Sequence, residues 1–357
     1  YPLVTGVQTC ALPIYALTAL LLKVLGKDKL PRFFDILKNH GSVFAPVKHG
    51  EKNHSFQKVD SMEKVELNYN RTMISPKKMF IAPEETIFTF DKKKEIYIEP
   101  EESSEKLVMF GVHPCDLHAL NLLAKVFLEE FTDTLYSSRR DRTLIVGISC
   151  SPDDFCFCKS TGTSFASEGF ELFLHDIGEK YLVRVGSPKG LRIISENPDL
   201  FTELGDNDLD QFKAVENERM NSFKKSIEMA GLQDMLDLSY DSQIWKEYGD
   251  RCLGCGSCNM VCPRCRCYDV QDNIDLNLTT GERVRRWYSC MLQDHGLVAG
   301  GHNFRPSAYE RIRNRFNCKG SLREDMPNCV GCGRCSVYCP ADIDFLEIMS
   351  KIRGESQ

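Results

Sequence analysis

Two cysteine runs constrain this chain more than any other feature. Cys252-x2-Cys255-x2-Cys258-x3-Cys262-Pro263 recurs, beyond a long insert, as Cys329-x2-Cys332-x2-Cys335-x3-Cys339-Pro340. Two-residue gaps let one loop wrap a single cubic cluster so that three thiolates reach three irons. The fourth cysteine, before proline, ligates the other cluster in two-cluster proteins. On that logic Cys252, Cys255, Cys258 and Cys339 hold one [4Fe–4S] cluster, and Cys329, Cys332, Cys335 and Cys262 hold a second. Structural zinc draws on two separated C-x2-C pairs and fits this pattern poorly. Disulfides would make a very tight tangle.

The chain has 357 residues, enough for about two domains. Hydrophobic residues make up 42% and charged residues 27%, an ordinary balance for a globular protein rather than a disordered one. A formal charge of -6 argues against a nucleic-acid binder that works through bulk positive charge. Residues 4–14 (VTGVQTCALPI) look like the translation of a sequencing-library adapter. The competing reading, a signal peptide, lacks a basic leading segment. Residues 1–14 are therefore set aside as an artefact, Cys10 included. Beyond them no apolar run is long enough to span a bilayer, so no transmembrane helix is expected. Ala16–Leu25 reads as a truncated amphipathic helix.

Residues 15–195 read as an N-terminal α/β domain. PRFFDILKN (31–39) has helical spacing with proline in its first turn. VFAPV (43–47), MFIA (79–82), TIFTF (86–90) and IYIEP (96–100) read as strands. LVMFGV (107–112) and LIVGIS (144–149) are continuous apolar runs, as buried parallel strands would be, with a helical pattern over 116–131 between them. Residues 196–247 read as a helical connector, with a helical pattern in FKKSIEMAGLQDMLDL. Residues 248–357 read as a mostly helical dicluster ferredoxin-type domain, poor in apolar periodicity and so dependent on something besides a large core. The expected fold class is α+β.

A third constellation lies near the two apolar strands. Cys115 follows one and Cys150 the other, with Cys156 and Cys158 just beyond. Parallel neighbouring strands would deliver both loops to one sheet edge, where α/β ligand sites lie. Four thiols would then converge, enough for a possible third [4Fe–4S] cluster; the alternative is a set of buried free thiols. His113 is either a further ligand or hydrogen-bond donor, or a satisfied loop residue. In the insert, Cys265, Cys267, Cys290 and Cys318 either support a further site or shield the others. Arg283, Arg285, Arg286, Arg305, Arg311, Arg313 and Arg315 make the insert locally basic, which suits neutralisation of cluster charge or partner docking. No recognisable nucleic-acid stacking module accompanies them. No nucleotide-binding glycine fingerprint follows a strand and no catalytic residues can be singled out.

GVHPCDLHAL (111–120), CSPDDFCFCKSTGT (150–163), CPRCRCYDVQD (262–272), GHNFRPS (301–307) and CVGCGRCSVYCPADID (329–344) resemble the iron–sulfur beta subunits of [NiFe] hydrogenase/sulfur reductases, the sulfhydrogenases. They equally resemble the A subunit of anaerobic sulfite reductase. The resemblance implies a cytoplasmic, hetero-oligomeric electron-transfer subunit of an anaerobe. It would relay electrons between a flavin- and NAD(P)H-binding subunit and a catalytic hydrogenase, sulfur-reductase or sulfite-reductase subunit. Two alternatives stand beside it: a redox enzyme with its own substrate site at the N-terminal cysteines, and a protein whose clusters are purely structural.

Overall fold

The computed structural model describes residues 21–354 apart from 52, 102, 324 and 325. The adapter-like segment and residues 16–20 lie outside the described residues. Leu22–Leu25, expected to end a helix, instead belong to a strand, β1 (Leu22–Gly26). Its partner supplies the reason. β9 (Lys180–Val185) pairs with it antiparallel along its whole length, so a non-local ladder overrides the local apolar pattern.

An eight-stranded sheet organises most of the N-terminal half of the chain. In spatial order it runs β10 (Phe201–Thr202), β1, β9, β8 (Leu172–Asp176), β7 (Thr143–Ile148), β6 (Leu107–Val112), β2 (Ser42–His49) and β3 (Asn53–Lys58). β2, β6, β7 and β8 are parallel to one another, as a crossover connection requires, and the flanking pairs are antiparallel. Every residue of β6 and β7 is buried. Their side chains alternate between two cores. Val108 and Phe110 pack on one face with Phe33, Phe34 and Val146, while Met109 and Val112 pack on the other with Leu117, Leu120 and Ile145.

Helix α1 (Leu30–Lys38) buries Leu30, Phe33, Phe34 and Leu37, the i, i+3, i+4, i+7 stripe of an amphipathic helix. Helix α2 (Pro114–Leu128) starts directly after β6 and crosses over, with α3 (Thr134–Asp141), to β7. Residues 79–82, expected as a strand, form the end of a 3-10 turn at Pro76–Met79 and the bend after it. Ile81 N–H bonds back to Lys77 carbonyl at 2.9 Å, which closes the turn instead of feeding a ladder.

The chain then passes through α4 (Pro188–Ser195), α5 (Asp208–Asn221), α6 (Leu232–Leu238) and α7 (Gln243–Arg251). Within FKKSIEMAGLQDMLDL only Leu232–Leu238 is helical; Gly231, at φ 67°, sets a left-handed break before it. Helices α8 (Ala308–Gly320) and α9 (Phe345–Arg353) follow. These helices contribute Leu232, Leu236, Trp245, Tyr248, Ile312, Phe316, Phe345 and Ile348 to a core of their own, against which Cys252, Cys258, Cys329 and Cys335 pack. An apolar core therefore does support the cysteine-rich region. Its residues come from helices outside the runs, which is why the runs alone show no periodicity.

One connection escaped the sequence. The hairpin β11 (Tyr268–Ile274) and β12 (Thr280–Trp287), inside the insert between the runs, joins β4 (Glu84–Asp91) and β5 (Ile96–Ile98) in a four-stranded antiparallel sheet. Arg285 of β12 donates to Glu85 of β4 and to Asp133 before α3, and all three are largely buried. The hairpin thus ties the cysteine-rich region to two strands from the N-terminal part of the chain, in a sheet separate from the eight-stranded one.

Candidate iron–sulfur centres

The first run starts where α7 ends. Cys252 caps that helix with extended backbone, and the chain curls through Gly254 and Gly256 into a single turn at Ser257–Met260. Cys252, Cys255, Cys258 and Cys339 line one cavity, walled by Met291, Ile312, Phe316 and Phe345. Gly254 N–H points at Cys252 Sγ at 3.4 Å, and Ile343 N–H points at Cys339 Sγ at the same distance. Such peptide donors stabilise thiolate and tune a sulfur-ligated centre.

The second run forms the matching loop. Cys329 lies within electrostatic reach of Cys332, Cys335 and Cys262, and burial pushes its thiol up. Cys332 and Cys335 likewise feel Cys262. The structure thus brings together both sets of four that the run logic pairs. Between them, Cys258 and Cys335 are neighbours. Among the described residues no three His, Cys, Asp or Glu side chains close as tightly as a single metal ion requires.

Cys115, Cys150, Cys156 and Cys158 also converge. β6 and β7 are parallel neighbours, so Cys115 at the start of α2 and Cys150 after β7 leave the same sheet edge. Cys158 interacts with Cys150, Cys156 and Cys332, and Cys115 with Cys158 and Cys332. Burial pushes Cys150 up to about 11 and Cys156 up to about 12. Arg71, itself buried, donates to Cys156 Sγ at 3.4 Å. His113 points elsewhere: its ring stacks on Tyr69 at 3.9 Å between centroids, and burial holds it neutral, down to about 3.

The loop carrying Cys156 and Cys158 lies on the second run. Phe157 N–H donates to Gly331 carbonyl at 2.8 Å, and Thr163 hydroxyl donates to Val330 carbonyl at 2.8 Å. A Cβ on Gly331 would stand 2.5 Å from Cys158 N, and one on Gly333 2.5 Å from Phe155 O. Both glycines also have positive φ, so contact and conformation require glycine at each. Beside them Arg334 reaches from the second run to Asp116 of α2 through two 2.8 Å bonds, with both side chains 1% exposed.

Of the seven insert arginines, few face sulfur. Arg283 pairs with Asp272, Arg285 with Glu85 and Asp133, Arg286 with Glu84, and Arg313 stacks on Tyr240. Arg305 offers a backbone carbonyl to Arg311. Arg311 and Arg315 face the runs: Arg311 lies beside Gly254 and Cys252, and Arg315 donates to Cys258 carbonyl at 3.0 Å. Lys319 continues that row, so Arg311, Arg315 and Lys319 form one buried i, i+4, i+8 stripe of α8. Lys319, Lys77, Arg71 and the Asp116–Arg334 pair were missed in the sequence. The four-residue spacing on α8 was the available signal for Lys319; the others approach from distant chain segments.

Peptide-lined sets of four thiols, backed by buried cations, define an iron–sulfur electron-transfer protein. A family model described as a 4Fe-4S dicluster domain matches residues 251–343. Sulfhydrogenase 2 subunit beta of Pyrococcus furiosus is 44% identical over 330 residues, covering 92% of this chain and 97% of that protein. The chain belongs to the family of sulfhydrogenase beta subunits. A component of the dihydromethanophenazine:CoB–CoM heterodisulfide reductase of Methanosarcina barkeri is 28% identical over 107 residues, 29% of this chain and 23% of that protein. Among the described residues no helix is long and apolar enough to cross a membrane.

Proposed function

We propose that this chain is the electron relay of a multisubunit hydrogenase-type complex, carrying electrons between a flavin- and NAD(P)H-binding subunit and a catalytic hydrogenase or sulfur-reductase subunit. The relative that spans the chain, a sulfhydrogenase beta subunit, supports the assignment to such a complex. The observation that carries the relay is contiguity: Cys258 of the first set neighbours Cys335 of the second, and Cys332 of the second neighbours Cys115 and Cys158 of the third. A [4Fe–4S] cluster supplies reversible one-electron chemistry. The protein's own residues do the rest. Cys252, Cys255, Cys258 and Cys339 form the first cradle, Cys262, Cys329, Cys332 and Cys335 the second, and Cys115, Cys150, Cys156 and Cys158 a third. Arg311, Arg315 and Arg71 offset thiolate charge, and the apolar walls restrict water.

The third cradle is the decisive test. Anaerobic iron and labile-sulfide analysis with a reductive EPR titration should show that Cys156→Ala/Cys158→Ala loses about four irons per chain and one reducible signal. The signals assigned to the two runs should persist. Unchanged iron would reduce these cysteines to packing thiols. A recess of about 640 Å3 opens on Cys150, lined also by Tyr69, Asp176 and Arg219, and favours a second reading in which this centre meets a substrate of its own. Turnover of a small-molecule acceptor by the isolated chain, beyond artificial dyes, would select that reading.

A further inference from the structure

The four cysteines left over by the three cradles do not scatter. Cys265, Cys267, Cys290 and Cys318 line a single recess of about 640 Å3, together with Asn259, Arg315 and Lys319. They arrive from three places: Cys265 and Cys267 from the segment between the first run and β11, Cys290 from the loop after β12, and Cys318 from the last turn of α8. The hairpin is what closes the set. Pairing of β11 with β12 opposes Tyr268 to Trp287, and Tyr288 N–H donates to Cys267 carbonyl at 3.0 Å. That ladder brings Cys290 back beside Cys267.

Polar groups are aimed at these sulfurs. Asn259 Nδ2 donates to Cys290 Sγ at 3.0 Å, and Arg315 lies 3.7 Å from Cys265 Sγ. Lys77 enters from the N-terminal segment, donates to the carbonyls of Cys262 and Cys265 at 3.0 and 3.1 Å, and lies over the Trp287 ring. Lys77, Arg315 and Lys319 are between 3% and 5% exposed. Among the described residues none of the three has a carboxylate within ion-pair distance. Buried cations persist only with compensating negative charge, and the groups here able to supply it are cysteine thiolates. Cys265 lies beside all three cations, as does Cys262 of the second cradle, so the charge is shared between two neighbouring thiolate sets. Four thiolates around an iron–sulfur core are net negative and suit the cation-rich wall of this recess.

We infer that Cys265, Cys267, Cys290 and Cys318 hold a further [4Fe–4S] cluster, next to the second cradle through the adjacent Cys262 and Cys265. The inference rests on the relay reading and extends it, because Cys318 is exposed and brings this centre to the surface beside Phe131. The test uses the full chain reconstituted anaerobically with iron and sulfide. Cys267→Ala/Cys318→Ala removes one half-buried and one exposed thiol, and should leave the fold intact by circular dichroism. It should lose about four irons and four labile sulfides relative to the parent chain, with one reducible EPR signal. A Cys255→Ala variant of the first set, made alongside, should lose a different signal, and that signal should remain in the double variant. Parent-level iron in the double variant overturns the fourth centre while leaving the relay standing. A parent chain that holds zinc and shows no reducible signal overturns both.

Discussion

At the scale of single residues, buried charge is the most informative feature. Lys319 sits at the end of the α8 stripe, and although burial opposes its charge, Cys262, Cys265 and Cys318 hold its ammonium group well above the ordinary lysine range. An electron added to a nearby cluster increases negative charge, so the cation favours the reduced state. A unit charge about 8 Å away at an effective dielectric of about 20 contributes about 2 kcal/mol. Lys319→Met should therefore lower the midpoint potential of the adjacent centre by up to about 90 mV, read by reductive EPR titration. An unchanged or raised potential would show that no cluster lies within its reach. Asp116 and Arg334 present the complementary case of a pair already balanced. Removing one partner strands the other, so Asp116→Leu or Arg334→Met alone should cost about 3–5 kcal/mol in chemical unfolding. The double variant should be less destabilised than the sum of the two, a coupling that defines the pair.

At the scale of elements, the same principle gives a pH dependence. His175 of β8 is enclosed by Phe165, Phe173 and Phe212, and its Nδ1 stands 3.6 Å from Glu216 of α5, too far for a good hydrogen bond. Burial depresses its pKa below 6.5. The folded chain thus binds this proton less readily than the unfolded chain. The associated stability is complete above about pH 6.5 and is lost as pH falls toward the lower folded value. The slope is at most about 1.4 kcal/mol per pH unit for one proton. His175→Phe should flatten that limb in urea titrations between pH 7 and 5, and an unaltered limb would place its origin elsewhere. Elements also show what the sequence could and could not reveal. β6, α2 and β7 were legible because their apolar runs and helical spacing are local. β1 and the turn at Pro76–Met79 were misread because non-local pairing decides one and a backward hydrogen bond decides the other. The runs were legible since ligand spacing is written in consecutive residues. The set around Cys265 and Cys290 stayed ambiguous because it is assembled by a hairpin that pairs with β4, a strand from the far N-terminal part of the chain.

For the whole molecule, the second cradle is the junction. Cys332 neighbours Cys115 and Cys158 of the N-terminal set, Cys335 neighbours Cys258 of the first, and Cys262 contacts Cys265 of the insert set. Each peripheral set approaches the surface separately: Cys255 is exposed beside Leu253, Cys150 borders an open recess, and Cys318 is exposed. With a cluster in each set, as proposed, this arrangement would suit an electron distributor better than a linear wire. Removing the centre should then isolate the periphery without emptying it. Cys329→Ala/Cys332→Ala should lose about four irons per chain and keep the remaining reducible signals. The kinetic consequence is more specific. When electrons enter from a protein-sized donor docked near Cys255, rapid-freeze EPR should show prompt reduction of the N-terminal set in the parent chain. In the variant that reduction should slow to the rate seen with donor reacting directly from solution. Equal rates in the two proteins would mean that electrons reach the N-terminal cysteines by a route that bypasses the second cradle.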